Sequence, residues 1–153
     1  MRNQKKLLIE QLDRKIKPFQ EAENIIIPEK GWVYSIRTAL NMTLEQLGKR
    51  LNITKQGVKK IEEREANESI TIHSLKEIAY VLDMKFVYGF VPKKGSIEKL
   101  IEFKSEELAR KIVLRTNHNM KLENQGNSDE QIKKAIKDLA GEIQRQVRRS
   151  LWD

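Results

Sequence analysis

The sequence predicts a mainly α-helical protein with one short β-strand. Over most of its 153 residues, apolar side chains recur at intervals of three and four positions, which is the spacing of one face of an α-helix. Threonine or serine, both favoured helix N-caps, precedes several of these runs. Only the stretch KFVYGFV at 85–91 is rich in β-branched and aromatic residues without a helical period, so we expect the strand there.

Composition narrows the possible functions. The net charge of +8 indicates a polyanionic partner, although it specifies no fold. The absence of cysteine excludes a disulfide framework, a thiolate zinc site and a cysteine nucleophile. No apolar run approaches the roughly 18 residues of a membrane span. The N-terminal segment is basic, but Glu10 and Asp13 interrupt its apolar run, so we do not expect a secretory signal there. We therefore expect a soluble, cytoplasmic protein.

The first predicted region, 1–30, contains one helix and a linker. Apolar residues at helical spacing predict the helix over 5–19, and Pro18 should end it. The linker contains an apolar run, NIII at 24–27. This region precedes the part of the chain where the basic excess is concentrated.

Four further helices are predicted in the region 31–84. The first lies in WVYSIRTALN. Thr43 is expected to cap the second and to form a capping box with Gln46, because a glutamine three residues after the cap can return a hydrogen bond to it. Thr54 is expected to cap the third helix, and Thr71 the fourth.

The second and third of these helices start eleven residues apart and are joined by the short junction LNIT. This spacing is typical of a helix-turn-helix, whose second helix lies in the major groove of double-stranded DNA. The residues expected on the outward face of that helix, against bases and nearby phosphates, are Lys55, Gln56, Lys59 and Lys60. Among them Gln56 is the best candidate for reading adenine. The residues expected to hold the DNA backbone are Gln46, Lys49, Thr54 and Arg64.

The stretch LEQLGKRLNITKQGVKKIE resembles the lambda-repressor and Xre-type DNA-binding domain, and the resemblance covers 31–84. It implies a structural ion pair between Arg37 of the first helix and Glu62 of the recognition helix. Asn52 stands where the family has its turn glycine, and asparagine can also adopt a left-handed conformation. Leu44 replaces the usual glutamine, so one common phosphate contact is lost, and EREANESIT makes a longer loop.

A narrower resemblance covers nearly the whole chain. The stretch KIEEREANESITIHSLKEIAYVLDMKFVYGFVPK, followed by NMKLENQ and LWD, is similar to the family called mobile mystery protein A. In that family an Xre-type protein is encoded beside a Fic-domain protein, which implies a toxin–antitoxin-like pair with this chain as the regulator. The helix motif of many Fic inhibitors, Ser/Thr-x-x-x-Glu-Gly/Asn, is absent, and its nearest match, NMKLEN, has Asn119 in the hydroxyl position before Glu123.

The region 85–95 is predicted to be the strand followed by a turn. A lone strand needs a partner for its backbone groups. Two partners are open: the same strand of a second chain in a homodimer, or the NIII run of the same chain. A homodimer would also place two recognition helices about 34 Å apart, as successive major grooves require. The residues predicted to form a dimer strand are Phe86, Val87, Tyr88 and Phe90.

The last region, 96–153, is predicted to be a pair of helices. The first starts at Ser96 and reaches about Asn119, and the second starts at Ser128 with a capping box to Gln131. Their apolar residues recur at intervals of three and four, which fits an intramolecular hairpin and a dimer seam equally well.

These observations predict a sequence-specific, double-stranded DNA-binding transcriptional regulator, an autorepressor or antitoxin-like partner of a Fic-domain protein. The rival interpretation is a protein-interaction module that mainly binds and restrains a Fic-domain toxin, with DNA binding secondary. No enzyme, cofactor or metal site is predicted, because the chain has no glycine-rich phosphate loop and its two histidines, His73 and His118, are expected at the surface.

Overall fold

All regular secondary structure in the described part of the chain is helical. The computed structural model describes residues 2–122 and 128–153, so the NMKLEN stretch, with Asn119 and Glu123, lies outside the residues whose side chains are described. The α-helices are α1 (Arg2–Ile16), α2 (Trp32–Ala39), α3 (Leu44–Leu51), α4 (Lys55–Ala66), α5 (Ile72–Val81), α6 (Ile97–Leu122) and α7 (Asp129–Gln146). Two 3₁₀ segments follow α1 and α7, at Lys17–Asn24 and Arg149–Trp152. None of these described helices is long and apolar enough to cross a membrane.

The chain divides into two compact units. One combines the residues up to Glu23 with Gly89–Asp153, so that α1 belongs with α6 and α7. The other, Asn24–Tyr88, contains α2 to α5. We call the first the hairpin unit and the second the four-helix unit.

The four-helix unit has one apolar core and well-defined helix starts. Its buried core residues are Val33, Leu47, Val58, Ile78 and Leu82. The backbone N–H of Thr43 donates to Oε1 of Gln46 at 2.8 Å, and the N–H of Gln46 donates to Oγ1 of Thr43 at 3.1 Å. Thr54 and Thr71 also accept bonds from the first turns of α4 and α5. The predicted caps are therefore confirmed.

In the hairpin unit, α6 and α7 pack against each other along their lengths. The buried residues of α6 include Ile101, Ser105 and Ala109, which follow one another at intervals of four. Side chains at intervals of four form a ridge along a helix, and such a ridge fits into a groove of the neighbouring helix. The side chains of Ser105 and Ala109 are small, so the two helices can approach each other closely. Ile136 and Ile143 of α7 are buried in the same core. The two helices thus form an intramolecular hairpin, and a dimer seam on them stays a prediction.

Helix α1 is fixed to the start of α6 by a single carboxylate. Asp13 accepts hydrogen bonds from the backbone N–H groups of Ile97, at 2.8 Å, and Glu98, at 3.3 Å. A carboxylate at a helix N-terminus satisfies otherwise unpaired donors and interacts favourably with the helix dipole. Ile9 of α1 packs against the core of the hairpin unit. The first helix therefore caps a helix that lies far from it in the sequence.

The end of α7 requires an unusual backbone conformation. Val147, the C-cap residue, has φ 44° and ψ 62°, in the left-handed region. A β-branched residue is a poor choice there, because the left-handed conformation costs roughly 1–2 kcal/mol for a residue with a Cβ atom. Packing of Val147 against the core of the hairpin unit offsets this cost.

The predicted strand at 85–91 is wrong. No strand occurs in residues 2–122 or 128–153, and no backbone–backbone hydrogen bond of that part of the chain involves 85–91. The NIII run at 24–27 does not pair with it either, because those residues also lie outside any strand. β-Branched and aromatic residues favour extended backbone, but a strand exists only where a neighbour completes its ladder, and the described residues supply none.

Replacing Ser105 by alanine should stabilise the protein. Its Oγ atom is fully buried and has no hydrogen-bond partner among the described residues. Removing an unsatisfied buried hydroxyl should raise the free energy of unfolding by about 1 kcal/mol. The control is the same change at Ser128, whose hydroxyl caps α7, and it should lower that free energy by about 1 kcal/mol. Urea unfolding of both variants measures the two changes in the free energy of unfolding. A Ser105→Ala protein that is less stable than the wild type would contradict the view that the buried hydroxyl is unsatisfied.

Candidate nucleic-acid interface

The junction between α3 and α4 is a tight turn that depends on two residues. Asn52 ends α3 in the left-handed conformation, with φ 58° and ψ 41°. The N–H of Ile53 then donates to the carbonyl of Gly48 at 2.9 Å. A Cβ atom at Gly48 would lie only 2.8 Å from the carbonyl oxygen of Ile53, so any larger residue would push the turn away from α3. Glycine at 48 and asparagine at 52 therefore set the angle at which α4 leaves the turn.

Helix α4 has one buried face and one polar, exposed face. Val58 and Glu62 are buried, and Ile61 is half-buried. All eight residues predicted from the sequence to contact DNA are exposed; they are Gln46, Lys49, Thr54, Lys55, Gln56, Lys59, Lys60 and Arg64. At 100° per residue, Gln56 lies near the centre of the exposed face of α4, with Lys59 and Lys60 on either side of it.

Two of these eight residues already make structural hydrogen bonds. Oε1 of Gln46 accepts the N–H of Thr43 in the capping box, which leaves the Nε2 amide hydrogens of Gln46 free to donate. Oγ1 of Thr54 accepts the N–H of Gly57 at 3.0 Å, and its own hydroxyl hydrogen can still donate outward. Both groups are thus held in position by the helix caps while retaining a donor for an anion.

The buried side of α4 is anchored to α2 by an ion pair. Nε and Nη2 of Arg37 donate to the two carboxylate oxygens of Glu62 at 2.9 and 2.8 Å, and Nη1 of Arg37 donates to the carbonyl of Met42 at 2.9 Å. Arg37 is 8% exposed and Glu62 7%. The hydrogen bonds to Glu62 raise the pKa of Arg37, against the opposing effect of desolvation, so the arginine stays charged. These are the two residues that the resemblance implied.

A second carboxylate of α4, which sequence reasoning missed, caps α2. Glu65 accepts the backbone N–H groups of Trp32 and Val33, both at 2.8 Å. Gly31 makes this approach possible, since its φ is 90° and a Cβ atom there would lie 2.8 Å from the carboxylate carbon of Glu65. The available signal was the position of Glu65 three residues after Glu62, on the same side of the helix.

Two exposed charges beside the predicted contacts were also missed. Arg50 lies on α3 and lines a shallow groove with Met42, Gln46 and Lys49. Glu63 is exposed on α4, on the same face as Gln56, and forms no ion pair with any described residue. The surface is therefore mostly basic, with one carboxylate in it.

Comparison with protein families matches residues 33–88 to the helix-turn-helix family. This match ends at Tyr88, where the four-helix unit also ends. Residues 33–88 are an Xre-like helix-turn-helix domain. The helix-turn-helix domain marks the protein as a DNA-binding regulator of the Xre type. Comparison with curated proteins gave no match, and neither did comparison with solved structures.

Breaking the ion pair should destabilise the protein strongly. Glu62→Gln leaves the guanidinium of Arg37 buried without a counter-charge, which should lower the free energy of unfolding by about 3 kcal/mol. The control is Glu63→Gln, the same change at the next and exposed position, which should alter it by no more than about 0.5 kcal/mol. Chemical denaturation followed by circular dichroism measures both values. Equal, small effects of the two substitutions would contradict a stabilising role for the pair.

Proposed function

We propose that this protein is a non-enzymatic, cytoplasmic, sequence-specific regulator of transcription that places α4 in the major groove of double-stranded DNA. One observation carries the proposal. The helix after the turn is anchored on one side by Glu62 and Glu65 and exposes Gln56, Lys59 and Lys60 on the other. A helix so held presents hydrogen-bonding side chains at a fixed angle, as base recognition requires.

The exposed residues divide into two roles in this proposal. Lys55, Gln56 and the lysines of the next turn lie at the start of α4, which is the part of a recognition helix that contacts base edges. Gln56 can pair with adenine through N6 and N7, and a lysine can donate to guanine O6 and N7. Backbone phosphates are contacted by a second set, Gln46, Lys49, Thr54 and Arg64.

Removing two lysines from α4 should weaken DNA binding. The double variant Lys59→Ala, Lys60→Ala should lose affinity for the protein's own upstream DNA. If both lysines contact phosphate, the negative slope of log affinity against log salt should become shallower by about two. A lysine that contacts guanine instead should change the preferred sequence with less effect on the slope. The matched control removes two exposed neighbouring lysines of α7, Lys133 and Lys134, and should bind as the wild type does. Fluorescence anisotropy at several salt concentrations measures this, and unchanged binding of the α4 variant would refute the proposed interface.

We further propose that the regulator acts as a homodimer through the four-helix unit. Reading two successive major grooves requires two copies of α4. Exposed apolar side chains near the end of this unit support a contact between copies there: Tyr80 is 83% exposed, Val87 62% and Tyr88 58%. Contiguous exposed apolar surface is typical of protein contacts.

Sedimentation velocity at micromolar concentration tests the dimer. The wild type should sediment as a dimer, and the double variant Tyr80→Ser, Val87→Ser as a monomer, because the two substitutions remove apolar surface from the contact. The control Leu8→Ser changes an exposed leucine of α1, in the hairpin unit, and should leave the dimer intact. A monomeric wild type would refute the dimer, and a monomeric Leu8→Ser protein would move its interface to the hairpin unit.

The finer proposal is an autorepressor paired with a Fic-domain protein. It is supported by the resemblance of 60–93 and of the C-terminal sequence to mobile mystery protein A, and the family match at 33–88 supports only its DNA-binding part. Co-expression with the protein encoded by the neighbouring gene tests it, since the pair should co-purify and repress their own promoter. If the chain co-purifies with a Fic-domain protein but does not bind the upstream DNA, the interaction-module interpretation replaces autorepression.

A further inference from the structure

The hairpin unit contains a cavity that the proposed DNA contacts do not use. Its volume is about 360 Å³, within the range of roughly 300–1,000 Å³ that is usual for small-molecule sites. Three helices contribute to its wall: α1, the start of α6 and the end of α7. The residues that line it are Lys6, Ile9, Glu10, Glu98, Ile101, Gln144, Arg145 and Val147.

One side of the cavity is apolar and belongs to the core. Ile101 is buried, and Ile9 and Val147 pack against the same core cluster. The side chains that form this surface are therefore held by the packing of the hairpin unit. Val147 is also the residue whose left-handed conformation ends α7, so the conformation of the helix end places an aliphatic side chain in the cavity wall.

The remaining wall carries balanced charges. Lys6 and Arg145 supply two cations, and Glu10 and Glu98 supply two carboxylates. Across residues 2–122 and 128–153, none of these four groups forms an ion pair. A ligand of one charge would face two groups of its own sign, whereas a ligand that carries both charges can pair with all four groups.

From the apolar wall and the balanced charges we propose that this cavity binds a small zwitterion with an apolar body, such as a single apolar amino acid. The ligand's ammonium group lies against Glu10 and Glu98. Its carboxylate pairs with Lys6 and Arg145, and its aliphatic or aromatic part covers Ile101. This site is independent of the proposed DNA contacts, which lie on α3 and α4.

Isothermal titration calorimetry of the full chain tests the ligand class with L-leucine and L-phenylalanine as probes. At least one should bind saturably with a Kd on the order of 1 mM or tighter. N-acetyl-leucine lacks the ammonium group and leucinamide lacks the carboxylate, so each should bind at least about tenfold more weakly than L-leucine. Absence of saturable binding for both amino acids would overturn the proposal, and so would equal binding of the blocked compounds.

Substitutions locate the site. Glu98→Gln and Arg145→Gln change exposed side chains at the cavity and should each weaken binding about tenfold. Glu102→Gln, one turn further along α6 and outside the cavity, is the matched control and should bind as the wild type does. Amide chemical shifts of Ile9, Ile101 and Val147 should move on titration while the melting temperatures of the variants stay equal. Binding that survives both cavity substitutions, or shifts confined to α2–α5, would refute this location.

Discussion

The buried bond between Arg37 and Glu62 is the interaction on which the arrangement of the helix-turn-helix domain depends. Two charged groups with less than a tenth of their surface exposed are tolerated only because the guanidinium and the carboxylate match each other in geometry as well as in charge. The same guanidinium also holds the carbonyl of Met42, just before α3. One side chain therefore connects the first helix, the segment before the turn and the recognition helix.

Glu62 and Glu65 of α4 face the opposite way from its lysines, and this separation explains how one helix serves both the core and the surface. Glu62 and Glu65 point to α2, where they neutralise a buried cation and satisfy backbone donors. Lys59 and Lys60 are left without intramolecular ion pairs among the described residues, so their charge remains available to an external anion. Glu63 interrupts the basic face and would repel phosphate near the end of the helix. The helix is thus held by Glu62 and Glu65 on one side, while Lys59 and Lys60 stay exposed on the other.

The sequence predicted what is local and failed where distant residues meet. The starts of α3, α4 and α5 could be predicted because a threonine cap acts on the next three residues. The cap of α2 by Glu65 could not, since it joins residues 33 positions apart and periodicity contains no such information. The prediction of a strand at 85–91 was wrong for a related reason. Composition indicates only a preference for extended backbone, whereas a strand needs hydrogen bonds to a second segment that is distant in the sequence. The exposure of the eight candidate residues could be predicted because it follows from the helical period, while their contact with DNA stays a prediction.

The hydrogen bonds of Asp13 constrain the order in which the protein can form during synthesis. Asp13 and Ile97 are 84 residues apart, so α1 leaves the ribosome long before the helix that it caps. The helix-turn-helix domain lies between these two residues in the sequence and has its own core, so it can fold on the emerging chain while α1 still lacks its partner. Closure of the hairpin unit comes last and carries the entropic cost of closing a long loop. The domain that has already folded lowers this cost, because it shortens the flexible part of the loop. A nascent regulator would thus acquire its DNA-binding surface before its helical hairpin is complete.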